Sequence, residues 1–332
     1  MDTISVYKSC CEKKARFNEL QQIKTKEELL CLIRKFEQEG NKYIFRGVSN
    51  ASYKMYTSLQ RNLMDNNDLY ISTFGTESYC EVISRIICVL KRNQDFVTYL
   101  RKRKIPINDF VILSALQHYK IPTPFLDFTS DILTALFFAQ DKTKPQYGDS
   151  LDCYVSIYVI KKSELNSYSW QKMMQNDVSR AQDLAKEHEK RTGEQINTEK
   201  FKTDIKDSTY AQFGKEIKYL FVEGPDIGIT TINAPYLGLN CEYNITNKRI
   251  EQQSGCFILN NDQTKPLEDL VTENTGFDIQ CYDISKTLLC EIEQLLEKQN
   301  ICADAIYCRK DMDSQKLQQI ITEGYLGSLF TT

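Results

Sequence analysis

A chain of 332 residues, 41% hydrophobic, is long enough to bury a substantial core as one large domain or two smaller ones. Lys and Arg total 42 against 45 Asp and Glu, a formal charge of -3 that provides no global footprint for nucleic acid and leaves Lys91-Arg92 and Arg101-Lys102-Arg103-Lys104 as either a local basic patch open to a nucleic-acid target or a charged solvent face. Twelve cysteines without a Cys-x-x-Cys pair, together with two histidines, argue against zinc; no secretory leader and no membrane-spanning apolar run are visible, which points to a cytoplasmic protein with reduced thiols.

Residues 1–24 carry weak helical periodicity and read either as a short leading helix or as a partner-binding extension, with the main domain over 25–332. Thr25-Lys26-Glu27-Glu28 is a capping-box pattern, and Leu29, Leu30, Leu32, Ile33 and Phe36 form an apolar stripe that ends at Gly40. Tyr43-Ile44-Phe45 then reads as a strand that delivers Arg46-Gly47 at its end. From Thr76 to Leu100 the spacing of Tyr79, Val82, Ile83, Ile86, Ile87 and Leu90 predicts one helix of the scaffold.

The stretch Leu113–Gln140 organises the chain. Phe110–Tyr119 reads as a buried helix capped by Asn108, and Ile121-Pro122-Thr123-Pro124 must end it, because proline lacks the backbone donor and restricts the residue before it. Phe125–Phe128 is a short extended piece, and Thr129, Ser130 or Asp131 caps a second helix, Ile132–Gln140, that is apolar on nearly every side. The loop between them holds Gln117, His118, Thr123, Asp127, Thr129 and Ser130. Six polar side chains in a setting that predicts burial need partners, and together they mark a site.

A polar turn, 141–150, precedes a strand over Cys153–Ile160. Residues 161–216 are polar and charged and read as a helical insertion that faces a protein partner or solvent. Strands resume at Tyr219–Val222 and around Ile250 and Cys256–Leu259, followed by C-terminal helices over about 284–324: an amphipathic one at 284–298 and another at Lys316–Thr322. The order predicts an α+β fold, a mixed sheet of short strands packed with helices.

Four blocks in the right order resemble the FRG domain, named for its Phe-Arg-Gly signature: Phe45-Arg46-Gly47; Tyr53 with Thr57-Ser58-Leu59 and Arg61; Gln117-His118-Tyr119 through Ala135-Leu136-Phe137-Phe138-Ala139; and Arg249-Ile250, Gln253, Gly255 and Phe257. The sequence departs from the family pattern at Lys120, Pro124 and Phe128, where glycine, a basic residue and tryptophan are usual.

More distantly, an arginine at a strand end, a Thr-Ser pair leading into an apolar helix and a glutamine on a late strand are similar to the Arg–Ser–Glu order of ADP-ribosyltransferases. That resemblance implies NAD as a substrate, with Arg46, Gly47, Gln117, Thr129, Ser130 and Arg249 as binding residues. It offers Glu251, Gln253, His118 and Asp127 as candidate catalytic residues, because a carboxylate stabilises an oxocarbenium charge as a neutral glutamine cannot. Arg46 either clamps an anion or forms a buried ion pair with Asp127. Two function classes follow: a toxin or phage-defence effector that transfers ADP-ribose or hydrolyses NAD, and a non-catalytic module that senses a nucleotide or a phage protein. No metal is expected.

Overall fold

The computed structural model describes residues 4–17, 20–65, 79–102, 107, 109–118, 121–165, 183, 186–193, 219–222, 229–234, 239–244, 253–274, 278–307 and 319. For Phe110, Val111, His118, 219–222, 229–234, 239–244 and 272–274 it describes the backbone alone. In chain order the strands are β1 (Leu20–Ile23), β2 (Tyr43–Val48), β3 (Phe125–Thr129), β4 (Tyr154–Lys161), β5 (Tyr219–Val222), β6 (Ile229–Ala234), β7 (Leu239–Asn244), β8 (Gly255–Asn260) and β9 (Ile279–Ser285). The principal helices are α1 (Cys10–Arg16), α2 (Lys26–Glu39), α3 (Ser58–Asp65), α4 (Tyr79–Arg92), α5 (Gln94–Lys102), α6 (Asp109–His118), α7 (Ile132–Gln140), α8 (Leu267–Asn274), α9 (Leu289–Lys298) and α10 (Ala303–Tyr307).

The fold is α+β. Seven strands form one mixed sheet in the order β1-β9-β4-β2-β3-β8-β5, with β1 parallel to β9 and the remaining pairs antiparallel, while β6 and β7 pair as a separate antiparallel ribbon. Strand alternation gives the sheet two apolar faces. Phe45, Val155, Ile157, Val159, Tyr282 and Ile284 pack under α2, α7 and α9. Ile44, Leu126, Phe128, Tyr158, Cys256, Ile258 and Cys281 turn the other way, against Tyr7, Phe17, the 51–55 segment and α8.

The sheet begins inside residues 1–24, where β1 adds an edge strand and α1 docks through a buried ion pair. Lys13 Nζ lies 2.6 Å from Asp283 Oδ1 and donates to Ser156 Oγ at 2.8 Å, with both charged residues essentially fully buried.

The capping box forms as the sequence predicts: Thr25 Oγ1 accepts from Glu28 N and Glu28 Oε2 accepts from Thr25 N. Of the three candidate caps of α7, Asp131 takes the place, accepting from Leu133 N and Thr134 N. Two expectations are corrected. The helix expected across 76–100 breaks at Asn93, whose Oδ1 accepts from Phe96 N and starts α5. Residues 284–285 are strand rather than helix: β9 pairs with β4 through Ser285, a 3-10 turn covers Lys286–Leu288, and α9 starts at Leu289.

Of the insertion at 161–216, the described parts are 161–165, 183 and 186–193, with helix at 186–192. Lys316–Thr322 lies outside the described residues except Gln319, as do Ile250 and the cap position Asn108. Among the described residues no helix is long and apolar enough to cross a membrane.

Candidate functional site

Gly47 determines how β2 meets α7. A Cβ at this position would fall 1.9 Å from the carbonyl oxygen of Ala135 and 2.9 Å from the backbone nitrogen of Ala139, so only glycine lets the helix backbone rest on the strand. Alternation turns the preceding side chain, Arg46, to the opposite face, where its register partner on β4 is Tyr158.

Next to this contact the sheet divides. β2 runs beside β4 along its whole length, and β3 runs beside β8 along its whole length, but β2 and β3 share one register pair, Phe45 opposite Thr129. Arg46 bridges the split by donating from Nη1 to the backbone carbonyl of Asp127 at 2.7 Å. Its Nε is buried and has no hydrogen-bond partner. Burial pulls the guanidinium below the usual arginine range; the Asp127 carboxylate opposes that shift and Arg61 adds to it.

The carboxylate of Asp127 is fixed separately. Phe125 N donates to Thr123 Oγ1 at 3.2 Å, Thr123 donates its proton to Gln117 Oε1, and Gln117 Nε2 donates to Asp127 Oδ2 at 2.7 Å. This chain of donors orients the carboxylate while leaving Asp127 itself exposed.

A cavity of about 700 Å³ occupies the split. Its lining includes Arg46, Gly47, Gln117, Asp127, Thr129 and Gln253, with Phe45, Phe128, Phe138, Phe257, Tyr53 and Tyr307 supplying aromatic surface. Arg61 from α3 and Lys54 from the preceding loop also line it, as do Ile4, Ser5 and Val6 of the N-terminal segment. Burial lowers the affinity of the Arg61 guanidinium for its proton, against the pull of the Asp127 carboxylate. Among the described lining residues Asp127 is the one carboxylate facing three cationic side chains, so the cavity favours anions.

The sequence-derived candidates divide into three groups. Arg46, Gly47, Gln117, Asp127, Thr129 and Gln253 are brought together around the cavity. Ser130 is held beside it, its N–H donating to Ser254 O at 2.9 Å and its hydroxyl to the same oxygen at 3.4 Å. The His118 side chain, Arg249 and Glu251 lie outside the described residues.

Thr129 donates its proton to Gln253 O at 2.6 Å and accepts from Asp131 N at 3.1 Å, while Gln253 Nε2 donates to Ile306 O at 3.1 Å. These groups tie the end of β3 and the start of α7 to the segment that enters β8. An ion pair is not how Arg46 meets Asp127: the guanidinium takes the backbone carbonyl, and the carboxylate is claimed by Gln117.

Sequence reasoning assigned no site role to Arg61, Lys54, Tyr53, Phe138, Tyr307 or the N-terminal segment. Arg61 and Tyr53 stand in the second block of the FRG resemblance and Phe138 in the third, which could have marked them, whereas Lys54, Tyr307 and the N-terminal segment are brought in by tertiary packing alone.

The fold is therefore a split α+β sheet with a cationic, aromatic-walled cavity at the split. Residues 41–148 match the family model of the FRG domain, and the chain contains an FRG domain over that span. No curated protein and no solved structure matches the chain.

Proposed function

We propose that the cavity binds a nucleotide-type anion, NAD first among them, and that the protein is a cytoplasmic toxin or phage-defence effector of the ADP-ribosyltransferase-like kind. The observation that carries this reading is Arg46: a half-buried guanidinium on the cavity wall, with one arm fixed to Asp127 O and a buried Nε that has no acceptor. A buried unpaired donor is costly, and a phosphate oxygen would satisfy it bidentately with a second guanidinium nitrogen. The aromatic walls suit the planar rings of such a ligand.

In this reading Arg46 holds the diphosphate, and Asp127, oriented by Gln117, faces the ribose whose glycosidic bond breaks. Nicotinamide leaves with the bonding electron pair, the carboxylate stabilises the developing positive charge on the ribose, and water adds to yield ADP-ribose and a proton. Transfer replaces water with a nucleophile of a target molecule. Asp127 takes this role because the Gln253 side-chain amide is engaged with Ile306 O.

The second reading is a non-catalytic module that binds the same nucleotide. It is favoured by the internal bonding of Thr129 and Gln253, which commits two of the candidate groups to structure. Incubating the purified full chain with NAD and following nicotinamide by chromatography separates the two. Nicotinamide release that is lost in Asp127→Asn supports the enzyme; binding without release supports the module; no binding of either NAD or ADP-ribose rejects both.

A further inference from the structure

We propose that the loop and helix over Tyr53–Arg61 form a second subsite in this cavity, for the nucleoside half of a nucleoside diphosphate, with Arg61 and Lys54 on the phosphates and Tyr53 under the base. The proposal rests on the nucleotide reading of the cavity and names the residues that select its ligand.

Three observations support it. The Tyr53 backbone is pinned on both sides, its N–H donating to Asn50 O at 3.2 Å and its carbonyl accepting from Tyr158 Oη at 3.0 Å, yet the residue is 48% exposed at the cavity wall. An aromatic side chain on a fixed backbone and left open to solvent offers a stacking platform, since every base presents a π-face to it. Val6, paired with Tyr53 in an isolated bridge and 40% exposed, extends this apolar edge.

Arg61 is held in the same way. Its Nη1 donates to Tyr56 O at 2.7 Å, and α3, which carries it, is fastened at its start by Leu59 N to Thr123 O and by Gln60 Nε2 to Asp262 O and Lys265 O. One end of the guanidinium is therefore fixed while the side chain lines the cavity. Lys54 stands next to Tyr53 in sequence and lines the cavity, its Nζ in a long ion pair with Glu12 Oε1 at 4.0 Å and 5.2 Å from the centroid of the Tyr7 ring. Cations adjoining an exposed aromatic ring match a base that is one ribose away from its phosphates.

Arg46 is the third cation lining the cavity, so a diphosphate held there would have the guanidinia of Arg46 and Arg61 to meet. An inorganic anion would use the cations alone. A nucleoside diphosphate would also use Tyr53.

The test is calorimetric titration of the full chain with ADP, with pyrophosphate as the base-free probe. Expected is saturable ADP binding that Arg61→Gln weakens by about tenfold or more and Tyr53→Ala by about tenfold, with pyrophosphate affected by the first substitution alone. Lys54→Gln, which leaves the Arg61–Tyr56 bond in place, is expected to weaken both ligands several-fold and guards against a folding defect in Arg61→Gln. ADP binding that all three variants leave unchanged overturns the subsite while leaving the nucleotide reading intact. Arg61-dependent and Tyr53-dependent ADP binding without NAD binding upholds the subsite and rejects NAD. Absence of ADP binding in the wild-type chain overturns it.

Discussion

Arg46 Nη1 donates to the main-chain carbonyl of Asp127 at 2.7 Å, across the point where β2 and β3 cease to pair. A side chain here takes the place of a ladder hydrogen bond, so the residue that would meet a ligand also holds the cavity's two walls together. Arg46→Gln should cost about 1–3 kcal/mol, the range for a charged hydrogen bond left unmade, and not the roughly 3–5 kcal/mol of a broken buried ion pair. Asp127→Asn should cost less than about 1 kcal/mol, because the side chain is exposed and asparagine keeps an oxygen to accept from Gln117 Nε2. Urea denaturation of the two variants checks both; a larger loss for Asp127→Asn than for Arg46→Gln would contradict the geometry.

Gly47→Ala is expected to be the most damaging small substitution in β2. A methyl group 1.9 Å from Ala135 O cannot be accommodated by side-chain movement, since its neighbours are backbone atoms. α7 must shift, at a cost of about 3 kcal/mol or more. A melting temperature unchanged from wild type would show that α7 does not rest on Gly47.

Thr129→Val removes a hydroxyl that serves both Gln253 O and Asp131 N, and should destabilise by about 1–3 kcal/mol, with Thr129→Ser retaining most of the stability. If the hydroxyl instead served a ligand, Thr129→Val would leave unfolding unchanged and weaken nucleotide binding. Paired denaturation and binding measurements distinguish these outcomes.

Much of this architecture is legible in the sequence where local chemistry decides. The Thr25–Glu28 capping box, the Gly40 stop and the proline-broken passage from α6 to β3 each depend on neighbours a few residues away. β9 was hidden because Asp283 interrupts its apolar pattern, and a buried aspartate makes sense only once Lys13, 270 residues earlier, is seen beside it. The break at Asn93 was masked by the apolar spacing of α4, which runs without interruption to Leu90. The site divides in the same way: Arg46 and Asp127 stand out as polar residues beside apolar runs, whereas Lys54 and Ile4–Val6 reach the cavity through long-range docking.

Glu268 should set a pH dependence of stability. It lies buried, accepting from Tyr7 Oη at 2.7 Å and from Met55 N at 3.1 Å, and burial pushes its carboxyl above the usual glutamate range. The folded chain therefore keeps this proton to higher pH than the unfolded chain does. Its contribution is fully present below the unfolded value and is lost as pH rises through the raised one. Glu268→Gln retains an acceptor and should flatten this part of the profile, gaining stability relative to wild type as pH rises. Urea midpoints from about pH 5 to about pH 8 would show it; parallel curves for the two proteins would refute it.

The split between β2 and β3 is proposed as a nucleotide site anchored on Arg46. Calorimetric titration of ADP-ribose into the full chain and into Arg46→Gln tests it most directly, with melting curves run on the same samples. Saturable binding with one ligand per chain is expected, weakened by about tenfold or more in Arg46→Gln while that variant still unfolds cooperatively. Binding of equal strength to both proteins, or no binding to the wild-type chain, would contradict it.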